Sequence, residues 1–254
     1  MRADTPFGGI ADYYDLIYKD KDYEKEVDFV ESIFEHTYKP KKILEIGCGT
    51  GNYTRILLER RYEVVGVDIS EDMLKIAREK CACKFINGDI RDVLISDKFD
   101  ACIAMFAVMG YITKGSDVIR ALNNVHKHLK PDGLFVFDVW NGLAVMRTLP
   151  ERRMKSIEND KVKVVRFAIP NVISFNHVCE VSYKLIVLNK ENNAFKEIDE
   201  KHVVRFYFPQ EIKHYLEETG FVVWKICPFL DLNGEVDENV WNMAVIARAV
   251  EAKK

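Results

Sequence analysis

Three glycines and one aspartate are the clearest chemical signal in this chain. Gly47, Gly49 and Gly51 stand at alternate positions directly after the short apolar run Ile43–Ile46, and a second apolar run ends at Asp68. Glycines let a backbone loop approach a ligand closely, and a carboxylate at the end of the neighbouring strand can accept hydrogen bonds from a ribose diol. The pattern therefore predicts a binding site for a nucleoside-type cofactor.

A parallel sheet is expected to position these residues, because strand and helix patterns alternate along the chain from residue 43 onward. The predicted fold is α/β: a doubly wound, Rossmann-like sheet of seven mostly parallel strands. The expected strands are 43–46, 64–68, 84–86, 99–106, 134–139, 222–227 and 240–248, after two helices over 11–18 and 23–36.

Alternating apolar and polar residues between about 155 and 208 predict an antiparallel β insertion after the fifth strand. We therefore divide the chain into two parts. Residues 1–150 and 209–254 are expected to form the cofactor-binding domain with its N-terminal helices. Residues 151–208 are expected to form the insertion, as a substrate-side cap or an oligomer contact.

The glycine spacing separates two classes of nucleotide-binding fold. A dinucleotide dehydrogenase needs G-x-G-x-x-G to bring its backbone against a pyrophosphate, whereas this chain has G-x-G-x-G followed by Asn52. Glu45-Ile46-Gly47-Cys48-Gly49-Thr50-Gly51 resembles the first motif, E/D-x-G-x-G-x-G, of the class I S-adenosylmethionine (SAM) methyltransferases. Three further segments resemble later motifs of that family: Val67-Asp68-Ile69-Ser70-Glu71-Asp72-Met73-Leu74, Gly88-Asp89-Ile90 and Leu129-Lys130-Pro131-Asp132-Gly133-Leu134-Phe135.

The resemblance implies a SAM site in which Asp68 accepts hydrogen bonds from both ribose hydroxyls. Asp89 would meet the adenine amino group, and the backbone N–H of Ile90 a ring nitrogen. The implied cofactor-binding residues are Tyr14, Glu45, Gly47, Cys48, Gly49, Asp68, Ile69, Met73, Asp89, Ile90 and Met105. The residues alone leave other roles open: a turn without a ligand for the glycines, helix entry for Asp68, turn formation for Asp89, and orientation of the loop for Glu45.

The whole chain resembles the aminosugar N,N-dimethyltransferases and, more loosely, glycine N-methyltransferase. The matching segments are Ala11-Asp12-Tyr13-Tyr14-Asp15-Leu16-Ile17-Tyr18, Met105-Phe106-Ala107-Val108-Met109-Gly110-Tyr111 and the β insertion. By this resemblance Tyr14 would lie near donor and acceptor, Met105 would pack on the cofactor, and Tyr111 would face the substrate. Tyr14 and Tyr111 are thus the candidate catalytic residues, with an ordinary aromatic on an amphipathic helix as the alternative for Tyr14.

Two observations bear on the acceptor. Asp138-Val139-Trp140-Asn141 departs from the Glu-Pro-Trp-Trp of the aminosugar enzymes, which leaves the acceptor's identity open. His177 and His202 of the insertion are candidates for a substrate-side base.

Other methyltransferase chemistries lack their usual residues here. Ala104-Met105-Phe106-Ala107 stands where amino-methyltransferases of nucleic-acid bases carry a Pro-Pro motif, and no acid lies beside Met105 as magnesium-dependent enzymes need. We therefore predict methyl transfer from SAM to a small molecule, at an amine nitrogen, by in-line displacement without a metal. The alternatives are a nicotinamide-dependent dehydrogenase and a non-catalytic protein that binds SAM or a partner.

Composition agrees with a globular protein, since 48% of the 254 residues are hydrophobic and the net charge is −3. No lysine or arginine cluster stands free of acidic neighbours, so we expect no nucleic-acid partner. No apolar run is long enough for a membrane span and none follows Met1, so we expect a cytoplasmic protein without a secretion signal. The scattered cysteines predict reduced thiols. The expected partners are a small-molecule acceptor and a second copy in a homodimer.

Overall fold

The computed structural model describes residues 7–250; the N-terminal residues used above to judge a secretion signal lie partly outside them. The central strands are β1 Lys42–Ile46, β2 Glu63–Asp68, β3 Lys84–Asn87, β4 Phe99–Ala104, β5 Leu129–Trp140, β10 Phe221–Pro228 and β11 Asn242–Ala249. They form one sheet in the order β10-β11-β5-β4-β1-β2-β3, in which β11 runs antiparallel to both of its neighbours. The predicted α/β fold with a mostly parallel seven-stranded sheet is confirmed.

Helices cover both faces of this sheet. They are α1 Ala11–Ile17, α2 Tyr23–His36, α3 Asn52–Glu59, α4 Glu71–Lys80, α5 Gly115–His128, α6 Gly142–Arg147 and α7 Pro209–Glu218. The apolar stripes of α5 and α7 pack on one face of the sheet, and those of α2 and α3 pack on the other. Buried strands with near-continuous apolar sequences follow from this double covering.

The insertion is an antiparallel sheet of four strands, β6 Arg153–Glu158, β7 Val162–Ile173, β8 Val178–Asn189 and β9 Phe195–Arg205. Its covered face packs against the first helix, because Ile10 and Ile17 lie in one apolar cluster with Val164 and Leu185. The N-terminal helix therefore lies on the insertion. A separate role for residues 151–208 as cap or oligomer contact stays a prediction.

The fourth strand ends earlier than predicted, at Ala104 rather than at Phe106. Phe106 and Ala107 have left-handed backbones, with φ of 70° and 58°. Their N–H groups donate to the carboxylate of Asp138 instead of a neighbouring strand. A side chain of β5 thus holds the turn that follows the end of β4.

The fifth strand begins earlier than predicted, at residue 129 rather than at 134. Leu129 pairs with Phe99, and after an irregularity the pairing resumes between Leu134 and Ala101. Residues 130–133 therefore interrupt the pairing within one longer strand. Helix α6 was not predicted, and among residues 7–250 none of the helices is both long and apolar enough to cross a membrane.

Candidate active site

A cavity of about 420 Å³ opens at the carboxyl ends of the parallel strands. All of the predicted cofactor-binding residues except Glu45 line it, and so does the predicted catalytic residue Tyr111. The sequence did not predict several other residues that line the cavity: Phe7, Tyr23, Tyr53, Phe106 and Lys201. His202, a candidate base, lines it as well. The cavity therefore joins the glycine loop of the large sheet to a wall supplied by the insertion.

The glycine loop is folded so that its backbone faces this cavity. The N–H groups of Gly47 and Cys48 donate to the carbonyl of Val67 at 2.7 and 3.1 Å, which ties the loop to β2. Gly49 has a φ of +53°, and no atom lies within 4 Å of the position that a Cβ would occupy there. The open space beside the backbone fits a ligand that approaches the loop closely, as the spacing of the glycines predicts.

Asp68 fixes the loop to the end of the second strand. Its Oδ2 accepts from the N–H of Gly49 and its Oδ1 from the N–H of Ser70, both at 2.8 Å. Burial raises the pKa of Asp68, although these backbone donors oppose the shift. Each carboxylate oxygen keeps a further lone pair, so the group can accept two hydroxyl protons from a ribose. That role stays a prediction.

Asp89 lies at the cavity edge in a close pair with Arg91. The Arg91 Nε lies 2.9 and 3.0 Å from the two carboxylate oxygens of Asp89. Burial alone would raise the pKa of Asp89, but these hydrogen bonds outweigh it and the pKa is lowered. Asp89 is thus a well-ordered anionic acceptor beside Ile90, which suits the predicted contact with an adenine edge without testing it.

Glu45 is the predicted cofactor residue that does not reach the cavity. It is 1% exposed, and its Oε2 accepts a hydrogen bond from the Thr54 hydroxyl of α3. Its Oε1 is buried without a partner, and burial raises the pKa to about 8. Glu45 thus lies outside the lining of the cavity. This position resembles the alternative in which Glu45 orients the loop, but its partner is a side chain of α3 and not a backbone N–H.

Aromatic side chains surround the other end of the cavity. Phe7 packs edge-on against Tyr14, with ring centroids 5.7 Å apart, and it also contacts Tyr111 at 5.6 Å. Burial holds the pKa of both tyrosines well above the ordinary value, so both are neutral phenols. The predicted catalytic pair lies on one cavity wall, where it can contact a bound acceptor.

The two candidate histidines of the insertion have different surroundings. His202 is 2% exposed and lines the cavity, and its Nδ1 lies 2.9 Å from the Tyr111 hydroxyl. His177 is not among the residues that line the cavity, and its Nδ1 lies 3.5 Å from Glu211. The structure therefore brings His202, and not His177, to the predicted substrate side.

The charges of the lining are compatible with SAM. The lysine and arginine that line the cavity are already paired: Arg91 with Asp89 and Asp117, and Lys201 with Glu180. SAM has no phosphate and therefore needs no cation in the lining. The carboxylates and the exposed loop backbone fit the ribose, adenine and amino-acid portions of SAM. Within residues 7–250, no group of three or more His, Cys, Asp or Glu side chains could hold a metal ion.

The fold and the lining of the cavity agree with the class I methyltransferases, the class whose cofactor is SAM. Residues 43–133 match the family model described as a methyltransferase domain. That segment contains the glycine loop, Asp68 and Asp89. The resemblance predicted from the sequence is confirmed, and the chain carries a methyltransferase domain.

Named relatives agree with this class. The chain is 27% identical over 226 residues to a putative methyltransferase of Bacillus subtilis, covering 87% of this chain and 88% of the relative. It is 34% identical over 137 residues to the dTDP-3-amino-3,6-dideoxy-alpha-D-glucopyranose N,N-dimethyltransferase of Streptomyces fradiae, covering 52% of this chain and 54% of that enzyme. None of these matches supports the dehydrogenase alternative.

A solved structure shows the same fold over nearly the whole chain. The S-adenosylmethionine-dependent methyltransferase from Clostridium acetobutylicum superposes with a TM-score of 0.81 at 23% identity, covering 94% of this chain and 96% of that one. The likeness includes the insertion, since so little of either chain is left out. The β insertion thus belongs to an architecture that another methyltransferase shares.

Proposed function

We propose that this protein transfers a methyl group from SAM to an amine nitrogen of a small molecule, by in-line displacement without a metal. The observation that carries the proposal is the single cavity that joins the glycine loop and Asp68 to an aromatic wall bearing Tyr111 and His202. A donor and an acceptor bound in one cavity are held in the alignment that a displacement needs.

The residues of the chain would mainly bind and orient. Bound SAM supplies the methyl group as a sulfonium, which needs no further activation by the protein. Asp68 would hold the ribose, Asp89 the adenine, and Met105 and Tyr14 the region around the sulfur. The aromatic lining would exclude water and hold the acceptor against the donor. Residues 201–203 of β9 contribute to this wall, which supports a capping role for the insertion.

The charges of the lining favour an amine over an anionic acceptor. Asp68 and Asp89 are carboxylates, and both cations of the lining are already paired. Aromatic rings attract ammonium groups, and Tyr14, Tyr23 and Phe106 line the cavity, where Lys21 already lies over the rings of Tyr23 and Phe106. The dimethyltransferase of Streptomyces fradiae, whose name gives an aminosugar as its substrate, supports the same class of acceptor.

Calorimetry with SAM and S-adenosylhomocysteine tests the cofactor part of the proposal. We expect both to bind, and an NADH fluorescence titration under the same conditions to show no binding. Transfer from radiolabelled SAM to 2-aminoethanol, benzylamine and glucosamine then tests the acceptor part. Binding of SAM without transfer to any amine would contradict the proposed acceptor class and favour a non-catalytic SAM-binding protein.

Three expectations from the sequence stay predictions. Sedimentation of the full chain tests the homodimer, and fractionation of the source cells tests the cytoplasmic location. The expected absence of a nucleic-acid partner is tested by a gel-shift assay with mixed-sequence DNA and RNA.

A further inference from the structure

A chain of three side chains leads away from the cavity into the insertion. The Tyr111 hydroxyl lies 2.9 Å from Nδ1 of His202, and Nε2 of His202 lies 2.8 Å from Oε2 of Glu200. Tyr111 ends the short 3₁₀ turn Val108–Tyr111, whereas the other two residues lie on β9. The remaining Glu200 oxygen accepts from the N–H of Gly9 at 2.8 Å. The carboxylate is thereby held in place from both sides.

The Nε2-protonated tautomer of His202 gives this chain a single direction. Burial holds the pKa of Tyr111 well above its ordinary value, so its hydroxyl keeps its proton. With that tautomer, the Tyr111 O–H donates to Nδ1 of His202, and Nε2–H of His202 donates to the Glu200 carboxylate. The Tyr111 side chain lines the cavity, and its oxygen still has lone pairs, so it can accept a proton from a bound ammonium.

We propose that Tyr111, His202 and Glu200 form a proton relay that deprotonates the amine acceptor, an inference that rests on the function proposed above. The ammonium N–H proton passes to the Tyr111 oxygen while the Tyr111 proton passes to Nδ1 of His202. The products are a neutral amine, a neutral phenol and an imidazolium whose charge is balanced by Glu200. The amine lone pair then forms the bond to the methyl carbon, and the electrons of the broken carbon–sulfur bond stay on sulfur.

The surroundings of His202 leave Glu200 as its direct anionic partner. From β8 the Tyr183 ring packs edge-on at 5.0 Å, and Arg166 of β7 lies behind it, 5.5 Å from the Tyr183 ring. From the N-terminal segment Phe7 covers the imidazole at 4.5 Å. Lys201, the next residue, is paired with Glu180. The proton accepted by His202 is thus stabilised by a carboxylate and shielded by aromatic rings.

The pH dependence of methyl transfer tests the relay. The probes are SAM with 2-aminoethanol, benzylamine or glucosamine, and the variants are His202→Gln and Tyr111→Phe. Near neutral pH we expect each variant to lose activity by about 100-fold, the usual contribution of a positioned base. The loss should shrink as the pH rises toward the pKa of the free amine, because the amine then loses its proton to water. The double variant should be no slower than either single one.

His177→Gln is the matched control, because His177 also lies beside a glutamate but away from the cavity. It should keep the wild-type pH profile. Parallel profiles for wild type and His202→Gln, with an amine methylated, would overturn the relay and leave the proposed function intact. Binding of SAM with no amine methylated would overturn the proposed function and the relay together.

A measurement on the unaltered protein covers the case in which a variant does not fold. Nitrogen NMR of the histidine-labelled full chain reports which ring nitrogen carries the proton. We expect His202 as the Nε2–H tautomer at neutral pH, with Nδ1 as acceptor. The Nδ1–H tautomer would overturn the relay, because Nδ1 could then not accept the tyrosine proton.

Discussion

The two ends of the cavity are built in different ways. The proposed donor end uses residues from the ends of β1, β2 and β3, all within one stretch of the chain, and much of it is backbone. The proposed acceptor end joins the N-terminal segment, the turn after β4 and β9, so that Gly9 bonds to Glu200 across 191 positions. One end is a local loop, and the other is a tertiary assembly of side chains.

This difference shows which parts of a methyl-transfer site the sequence determines locally. A loop that bonds through its own N–H groups needs glycine at particular positions, whatever the rest of the fold does. A wall of side chains needs the right elements to come together, and many residue types can provide it. The donor end is therefore expected to tolerate few substitutions, and the acceptor end to tolerate more.

The largest expected effect is at Gly47, where the two ends touch. A Cβ there would lie 2.5 and 2.7 Å from the methyl carbons of Val108, the first residue of the turn that carries Tyr111. Gly47 also has a φ of +67°. Backbone strain and overpacking should together lower the free energy of unfolding of Gly47→Ala by about 3 kcal/mol, measured by urea denaturation.

Gly49→Ala is the control, since its φ is +53° but no atom lies within 4 Å of the added carbon. It should lose only the strain energy, about 1–2 kcal/mol. Adding Val108→Ala to Gly47→Ala should restore part of the loss. Equal losses for the two glycines would show that Val108 moves aside freely, and that the two ends are not rigidly packed against each other.

Asp68→Ala should give the next largest effect, on SAM affinity. It removes the proposed charged acceptor of the ribose hydroxyls, and it also leaves the N–H groups of Gly49 and Ser70 without their partner. Calorimetry should show binding weaker by roughly 1–3 kcal/mol, the usual range for hydrogen bonds to a charged group. Asp72→Ala, on the exposed face of α4, should bind SAM as the wild type does. Equal affinities for both variants would remove Asp68 from the donor site.

The same contrast explains how far the sequence could predict the site. The donor motif consists of Gly47 and Gly49, which follow β1, and Asp68, which ends β2. Consecutive parallel strands of this type usually lie side by side, so these residues come together. The acceptor network could not be read in this way. Tyr111 and His202 are 91 positions apart, and their contact depends on how the insertion folds back over the cavity.

Local patterns also predicted most of the fold, and failed where tertiary contacts decide. The end of β4 depends on the carboxylate of Asp138, 32 residues beyond Phe106. No propensity marks a left-handed Phe106 and Ala107. Glu45, predicted to bind the cofactor, does not line the cavity, and its Oε2 accepts from the Thr54 hydroxyl on the next helix. The sequence pattern predicts the helix or strand, whereas tertiary packing determines which side chains form hydrogen bonds with each other.

The third prediction concerns the pH dependence that Glu45 gives to the donor end. Its pKa is about 8 in the folded protein and about 4.3 when unfolded. Between these values the folded state binds the proton and the unfolded state does not, so this group lowers stability as the pH rises. Glu45→Gln removes that contribution. The free energy of unfolding of the variant minus that of the wild type should therefore be about 1.4 kcal/mol larger at pH 7 than at pH 6.

Urea unfolding at the two pH values measures this difference. The raised pKa of Asp138, about 6, is present in both proteins and cancels in the comparison. Glu63→Gln, at the exposed start of β2, is the control and should follow the wild-type pH dependence. If the free energy of unfolding of Glu45→Gln and of wild type changed equally with pH, the buried Glu45 carboxyl would be ionised in the folded protein.

A second contact links the two ends, through the helix that carries Tyr14. The Asp15 carboxylate accepts from Thr50 at 2.7 Å, from Asn52 at 3.0 Å and from Lys80 at 2.6 Å. Burial alone would raise the pKa of Asp15, but these partners outweigh it and the pKa is lowered. The first helix of the acceptor end is therefore tied directly to the glycine loop and to α4 of the donor end.

Asp15→Asn should have the smallest effect of the four, because the Asp15 side chain is 42% exposed and water screens its charge. We expect SAM to bind about two- to fivefold more weakly, equivalent to roughly 0.5–1 kcal/mol, as the helix holding Tyr14 loosens over the donor. Asp12→Asn, on the exposed side of the same helix, should leave SAM affinity unchanged. If Asp15→Asn slowed methyl transfer while SAM affinity stayed the same, the contact would serve the position of Tyr14 against the acceptor and not the closure of the donor end. The helix would then belong functionally to the acceptor end alone, and the two ends would be coupled through Gly47 and Val108.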